Sequence, residues 1–390
     1  MSLLPDTPRA ILFPDHLPEQ AFCFRNPVAT FSGGEDWQAL VEYVVQNTQS
    51  GCDDPVPPGA LVGGFTYEGE YYFEAYDQVE VFSRESCLPD TTPSVAAGTV
   101  NWQENISRET YCEMVEAARE YIAAGDIYQV NLARSFEAEI KGLDPQEFFK
   151  VLHWRTQAPL AAMIPFHLNS SKSWVCSSSP ELFLRIDGRH IATRPIKGTR
   201  PRDRDPMVDR QNAFELRTSE KEIAELVMIT DLERNDLGQI CDYGSVQVPE
   251  LLKAEEFSHV HHLVSTVEGR LKPEVNMVDA VRACFPGGSI TGAPKRRSME
   301  IIQELEPEPR GIYTGAIGYF GLDGTAQFNI AIRTCEIRGG RMKFFTGSGI
   351  TWGSDPEQEY EETCHKAAGM REAAAAYASM CRSKLGTEVS

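Results

Sequence analysis

Lys197 is the one amine in the stretch Thr193-Arg194-Pro195-Ile196-Lys197-Gly198-Thr199. Pro195 fixes its own φ and biases Arg194 towards extended backbone, while Gly198 lets the main chain approach a ligand. Held out of water, a lysine there has a lowered pKa and its free amine is a nucleophile; in water it is a turn lysine. Carboxylates offer a second chemistry. Glu225 lies among Ile223, Leu226, Val227, Met228, Ile229 and Leu232, which encircle a helix axis and predict a helix buried all round. A buried carboxylate there needs a basic partner or a cation. Glu359 and Glu362 share a helix face, and Lys366 offers Glu362 an ordinary i,i+4 pair. Gln129 and Asn131 alternate with Tyr128, Val130 and Leu132, so two amides leave a strand on one side, towards either a polar cavity or a half-exposed surface. Gly347-Ser348-Gly349 reads as a turn whose bare N–H groups can take a carboxylate.

Other candidates fail on spacing. His259 and His261 fall on one face of a strand and His262 on the other, poor geometry for a shared metal. Gly287 and Gly292 have the separation of a phosphate-binding loop, but Ala293-Pro294 replaces the required Lys-Ser/Thr. The ten cysteines contain no C-x-x-C pair, which argues against zinc or a redox motif and fits a reducing compartment.

Several elements must position these groups. Ser107 and Gly125 bound a helix, followed by a strand over 127–139. Strands over 160–168, 174–178, 182–186 and 191–196 follow, with Asp187-Gly188 as a hairpin turn. The charged run 200–210 reads as a solvated loop, and Ser219 with Glu222 as a capping box for the Glu225 helix. Pro294 reads as the first residue of a helix, 330–334 and 342–345 as strands, and Asp355-Pro356 as another helix start. The first hundred residues, rich in Pro, Gly and aromatics, read as short strands and turns without chemistry.

A chain of 390 residues, 42% hydrophobic, makes one large or two fused domains. With Lys+Arg 37 against Asp+Glu 57, the net charge of −20 argues against nucleic acid and anionic membrane as partners. No window reaches membrane-spanning length and the N-terminus lacks a basic segment followed by an apolar run, so a soluble cytoplasmic protein is expected.

In order along the chain, Ser179-Pro180-Glu181-Leu182, Pro195-Ile196-Lys197-Gly198-Thr199, Asp231-Leu232-Glu233-Arg234-Asn235-Asp236, and the segments 286–295 (PGGSITGAPK), 311–319 (GIYTGAIGY), 329–334 (NIAIRT), 347–350 (GSGI) and 355–363 (DPEQEYEET) resemble the chorismate-utilising enzymes, over about residues 105 to 375. The resemblance implies an α/β (α+β) fold: two large, mainly antiparallel sheets packed as a sandwich with helices outside. It implies a variable part over 1–100 packed on the same fold and a chorismate-binding catalytic domain over 101–390. It places Mg²⁺ on Glu225 and Glu362, with Glu359 in the same shell. Gly198, Thr199, Gly347 and Gly349 would hold the substrate, Arg333 and Tyr313 its enolpyruvyl carboxylate, and His262 would hydrogen-bond in the site. Glu181 matches the general acid that protonates the departing ring hydroxyl.

Two positions separate the members. Gln129 stands where isochorismate and salicylate synthases carry a water-activating lysine, which implies the ammonia-using branch. Lys197 stands where the anthranilate-forming enzymes usually carry alanine. The resemblance therefore implies conversion of chorismate and ammonia to 4-amino-4-deoxychorismate, for p-aminobenzoate and folate, through a covalent Lys197 intermediate. The alternatives are anthranilate formation with loss of pyruvate, or a non-catalytic chorismate-binding homologue. No cysteine nucleophile with a downstream His-x-Glu is visible, so a separate glutamine amidotransferase subunit is expected to deliver ammonia. Ser348 and Trp352 depart from the common pattern at the expected pocket rim.

Overall fold

The computed structural model describes residues 8–49, 54–89, 93, 99–168, 171–256 and 260–387; His259 lies outside them. Two ten-stranded sheets, antiparallel throughout, form a sandwich; nine strands of each run in one order, with Gln103–Glu104 paired beside Gln129–Glu139 in the first and Gln247–Glu256 beside Val260–Arg270 in the second. One orders its strands Gly292–Ala293, Gln129–Glu139, Arg341–Ile350, Thr334–Arg338, Ser171–Ser179, Leu160–Leu168, Ala10–Leu12, Gln20–Phe24 and Glu80–Ser83. The other orders Ile196–Pro201, Val260–Arg270, His190–Arg194, Leu182–Asp187, Thr325–Ile330, Ala316–Gly321, Ala60–Phe65, Tyr71–Tyr76 and Ala29–Gly33. The first hundred residues therefore complete both sheets.

Three apolar layers hold the sandwich. Phe22, Phe24, Ile164 and Val175 of the first sheet meet Val62, Tyr72, Ile317 and Tyr319 of the second between them. Helices Pro145–Thr156 and Pro356–Thr387 cover the outer face of the first sheet through Phe148, Phe149, Met370 and Tyr377. Helices Gln38–Asn47, Glu220–Ile240 and Met277–Cys284 cover the second through Leu40, Val44, Leu237, Val278 and Val281. The all-buried strands Ala60–Phe65 and Tyr71–Tyr76 lose the polar alternation of a half-exposed sheet because both their faces are covered.

Several expectations needed correction. The run 200–210 is not one loop: Arg200 and Pro201 extend a strand, and Asp205 caps helix Pro206–Thr218, with Pro206 in its first turn. Residues 330–334 are not one strand. Thr325–Ile330 belongs to the second sheet and Thr334–Arg338 to the first, and Arg333, at φ 49°, turns the chain between them. Pro294 caps helix Lys295–Leu305 from outside rather than opening it. Helix Glu220–Ile240 is buried on one face only, since it lies on the outside of a sheet and leaves Val227 43% exposed.

One buried ion pair joins the parts. Arg310 Nη2 donates to Glu306 Oε1 at 2.6 Å and to the Asn131 carbonyl at 2.7 Å; Nη1 donates to the Ile290 carbonyl at 3.1 Å and to Thr314 Oγ1 at 3.2 Å. Glu306 Oε1 also accepts from Ala133 N at 2.8 Å, and the Arg310 amide donates to Glu68 at 2.9 Å. The pair thus ties the Gln129 strand, the 285–294 loop and the N-terminal part together. Arg310→Met should lower stability by about 3–5 kcal/mol, because Glu306 is left charged and buried. Urea unfolding followed by circular dichroism measures this; an unchanged midpoint and slope would remove the pair from the account.

Candidate active site

Strands His190–Arg194 and Ile196–Pro201 follow one register along Val260–Arg270, and the Pro195 carbonyl bridges them by accepting from Ser265 N at 3.2 Å. Gly198 is the exception. Lys197 stands opposite Leu263 and Thr199 opposite His262, so Gly198 bulges out at φ 68°, a conformation glycine takes without strain. A bulge re-aims the side chains beside it. Lys197 is half-buried and its Nζ donates to the Ser289 carbonyl at 3.1 Å. His262 Nδ1 lies 3.1 Å from Thr199 Oγ1 and 3.2 Å from the Gly198 carbonyl, and burial pushes its pKa down to about 4, leaving the ring neutral at pH 7.

Across the sandwich, Val130 and Leu132 point to the helix side while Gln129 and Asn131 point inward. Both amides are buried, and Gln129 Oε1 and Asn131 Oδ1 have no hydrogen-bond partner, so of the two readings the alternation left open the half-exposed surface is excluded. Gly347, Ser348 and Gly349 do not form the expected turn. They continue strand Arg341–Ile350, paired with Ala133, Leu132 and Asn131. Their glycines matter through missing side chains. A Cβ on Gly347 would sit 2.7 Å from Asn131 Oδ1 and 3.0 Å from the Tyr313 hydroxyl, and one on Gly349 would collide with the Gln129 amide. Ser348 points the other way and bonds the Tyr111 hydroxyl at 2.8 Å, so it does not touch the pocket, and Trp352 is exposed. Tyr313 stacks on Phe345 with ring centroids 5.3 Å apart.

Glu181 and Arg333 sit at two adjacent crossings between the sheets. Ile330 N donates to the Glu181 carbonyl at 3.1 Å and Ser178 N to the Arg333 carbonyl at 3.0 Å. Burial pushes the Glu181 carboxyl up, against the pull of Ser289 and Lys197. Burial lowers the Arg333 guanidinium, against the pull of Glu181.

Glu225 has no ion pair among the described residues, and its buried Oε1 has no hydrogen-bond partner. Burial raises its pKa against Lys197 and Lys221. Glu362 forms the 2.7 Å pair with Lys366 that the spacing allowed; burial pushes its carboxyl up, but Lys366, Lys221 and Lys197 together hold it below the ordinary value. Glu359 is more occupied than expected for a metal shell: Oε1 accepts from Ser354 Oγ at 2.7 Å and faces Lys221 at 3.4 Å, while Oε2 is buried and unpartnered. Among the described residues no three Asp, Glu, His or Cys groups lie close enough to hold an ion alone. The donors fit a hard cation such as Mg²⁺ held by one or two carboxylates and completed by water and substrate oxygens.

The structure brings Lys197 within electrostatic reach of Glu181, Glu225 and Glu362, Arg333 within reach of Glu181, and Gly347 and Gly349 beside Asn131, Tyr313 and Gln129. It adds the Ser289 carbonyl, Asn131, Lys221 and Lys366. Asn131 was legible in the strand alternation and Lys366 as an ion-pair partner; Ser289 acts through its backbone, which side-chain identity does not signal. A separate cavity of about 910 Å³ lies elsewhere, lined by Leu232, Asp236, Phe285, Lys295 and Arg310.

The sequence pattern of the chorismate binding enzymes matches residues 76–372. Anthranilate synthase component 1 of Streptomyces coelicolor is 45% identical over 70% of this chain, and aminodeoxychorismate synthase component 1 of Escherichia coli 46% over 69%. Those matches span 53% and 58% of the two relatives' own lengths. Anthranilate synthase component I from Streptococcus pneumoniae superposes with a TM-score of 0.78 at 27% identity, over 95% of this chain and 93% of that one. The menaquinone-specific isochorismate synthase of Escherichia coli shares the fold at 18% identity, with a TM-score of 0.75 over 94% of this chain and 89% of that one. This chain belongs to the chorismate binding enzyme family.

Proposed function

We propose that the chain is the ammonia-using component of an aminodeoxychorismate synthase, forming 4-amino-4-deoxychorismate from chorismate. The observation that carries this is Lys197, aimed by the Gly198 bulge at the Ser289 carbonyl, within electrostatic reach of Glu181 and beside buried polar atoms without partners. The Lys197 amine attacks ring C2 and gives up a proton, both ring double bonds shift towards C4, and the C4 hydroxyl leaves as water with the proton of Glu181. Ammonia then adds at C4 and the lysine leaves C2, so one hard displacement becomes two easier ones. The raised pKa of Glu181 supports its holding that proton near neutral pH. Arg333 and Tyr313 would take the enolpyruvyl carboxylate, Arg333 through its planar fork. Neutral His262, Thr199 and the open backbone at Gly198, Gly347 and Gly349 would seat the ring and its carboxylate, with Gln129 flanking the ammonia path.

Glu225 and Glu362, with Glu359 behind them, would hold Mg²⁺, which neutralises the ring carboxylate of a dianionic substrate. A separate glutamine amidotransferase subunit supplies ammonia in this reading, which fits a cytoplasmic enzyme of folate biosynthesis. The second reading, anthranilate formation, is favoured by the similarity to the Streptomyces coelicolor protein; Lys197 weighs against it.

Purified protein incubated with chorismate, Mg²⁺ and an ammonium salt should yield a product that retains the enolpyruvyl group, identified by mass. Anthranilate with pyruvate would overturn the reading. Calorimetric titration should show Mg²⁺ binding that weakens on the order of 10-fold or more in Glu225→Gln; equal affinity in the two proteins would remove Glu225 from the ion's shell.

A further inference from the structure

Lys221 has no step in that mechanism, yet it ends on the carboxylates proposed to hold the cation. It stands one turn before Glu225 on helix Glu220–Ile240, where the spacing allows an ordinary i,i+4 pair. That pair does not form. The Lys221 ammonium instead reaches Glu359 Oε1 on helix Pro356–Thr387 at 3.4 Å, its one hydrogen bond among the described residues. Glu225 and Glu362 lie within its electrostatic reach as well. The two other lysines nearby have main-chain anchors: Lys366 donates to the Gly347 carbonyl at 2.9 Å besides pairing with Glu362, and Lys197 to the Ser289 carbonyl at 3.1 Å. Ser354 Oγ also donates to Glu359 Oε1 at 2.7 Å, while Glu359 Oε2 and Glu225 Oε1 are buried without hydrogen-bond partners. A cation shared by Glu225 and Glu362 has to join the same two helices that the Lys221 ammonium joins.

We propose that Lys221 is a built-in counter-cation that competes with Mg²⁺ for this carboxylate cluster and sets how tightly the ion is held. This rests on the proposed shell of Glu225, Glu362 and Glu359. Carboxylates gathered in one place repel one another, and an ammonium among them offsets part of that repulsion. A divalent ion entering the cluster meets the ammonium as a like charge and draws on the same oxygens. Lys221 can yield to it. Its side chain is 52% exposed, sits on a flexible four-carbon stem and has a single 3.4 Å contact to give up. Lys366 yields less readily, because it also holds the Gly347 carbonyl. Lys221 therefore weakens the ion's hold without blocking the site, and keeps the ion exchangeable between turnovers.

The test is calorimetric titration of Mg²⁺ into the full chain without chorismate, so it does not depend on which product forms. Lys221→Met, which keeps the length and removes the charge, should bind Mg²⁺ tighter on the order of 10-fold. Lys221→Arg, which keeps the charge, should stay within about 3-fold of wild type on the same ground. The melting temperature gives a second readout: a fixed Mg²⁺ concentration should raise it more in Lys221→Met than in wild type, because the tighter ion stabilises the folded state more. Affinity in Lys221→Met that is unchanged or weaker, while Glu225→Gln still weakens binding, would overturn this proposal and leave the metal reading in force. Wild-type affinity in Glu225→Gln would remove the shell itself, and the proposal with it. Should Lys221→Met fail to fold, Lys221→Gln removes the same charge and is read in the same way.

Discussion

The buried pair of Arg310 and Glu306 fixes the geometry on which the pocket depends. The two side chains are only 1% and 5% exposed, so most of their hydrogen bonding must come from the fold, and main-chain groups of Asn131, Ala133 and Ile290 supply it. Those groups belong to the strand that carries Gln129 and to the loop that carries Ser289. A shift of either element would strip partners from a buried charge, so the pair enforces position more than it adds net stability. The Lys197 strand and the Gln129 strand lie in different sheets; the loop and this ion pair set how they face each other.

An acidic chain with a polar pocket also has an electrostatic problem. Glu181, Glu225 and Glu233 are all pushed upward by burial, while Lys197, Lys221 and Lys366 oppose the negative field at the pocket. The unpaired oxygens of Gln129, Asn131, Glu225 and Glu359 are costly to bury, and in the proposed reading they would be met by substrate donors or a cation. The strain at Arg333 has the same character: a non-glycine residue at positive φ turns the chain between the sheets and leaves its guanidinium buried within electrostatic reach of Glu181.

Much of this was legible in the residue pattern. Ser107, Ser219 and Asp355 cap helices where their spacing said, because capping is local chemistry. The alternation put Gln129 and Asn131 on one face of their strand, but that this face is buried required the fold. What failed were features decided by distant partners. The glycines at 347 and 349 looked like a turn because their purpose, room for Gln129, Asn131 and Tyr313, comes from other segments. The break at Arg333 looked like continuous strand because β-rich composition says nothing about which sheet receives it. Glu225 was recognisable as a buried carboxylate, but its lack of an ion pair required the fold.

The central claim is that Lys197 bonds covalently to the substrate ring. Protein mixed with chorismate and Mg²⁺ without ammonia, quenched rapidly and digested, should contain a peptide bearing Lys197 heavier by chorismate less one water, absent from Lys197→Ala. Consumption of chorismate by wild-type protein on addition of ammonia, with no such adduct on Lys197 at any quench time and undiminished turnover in Lys197→Ala, would contradict it.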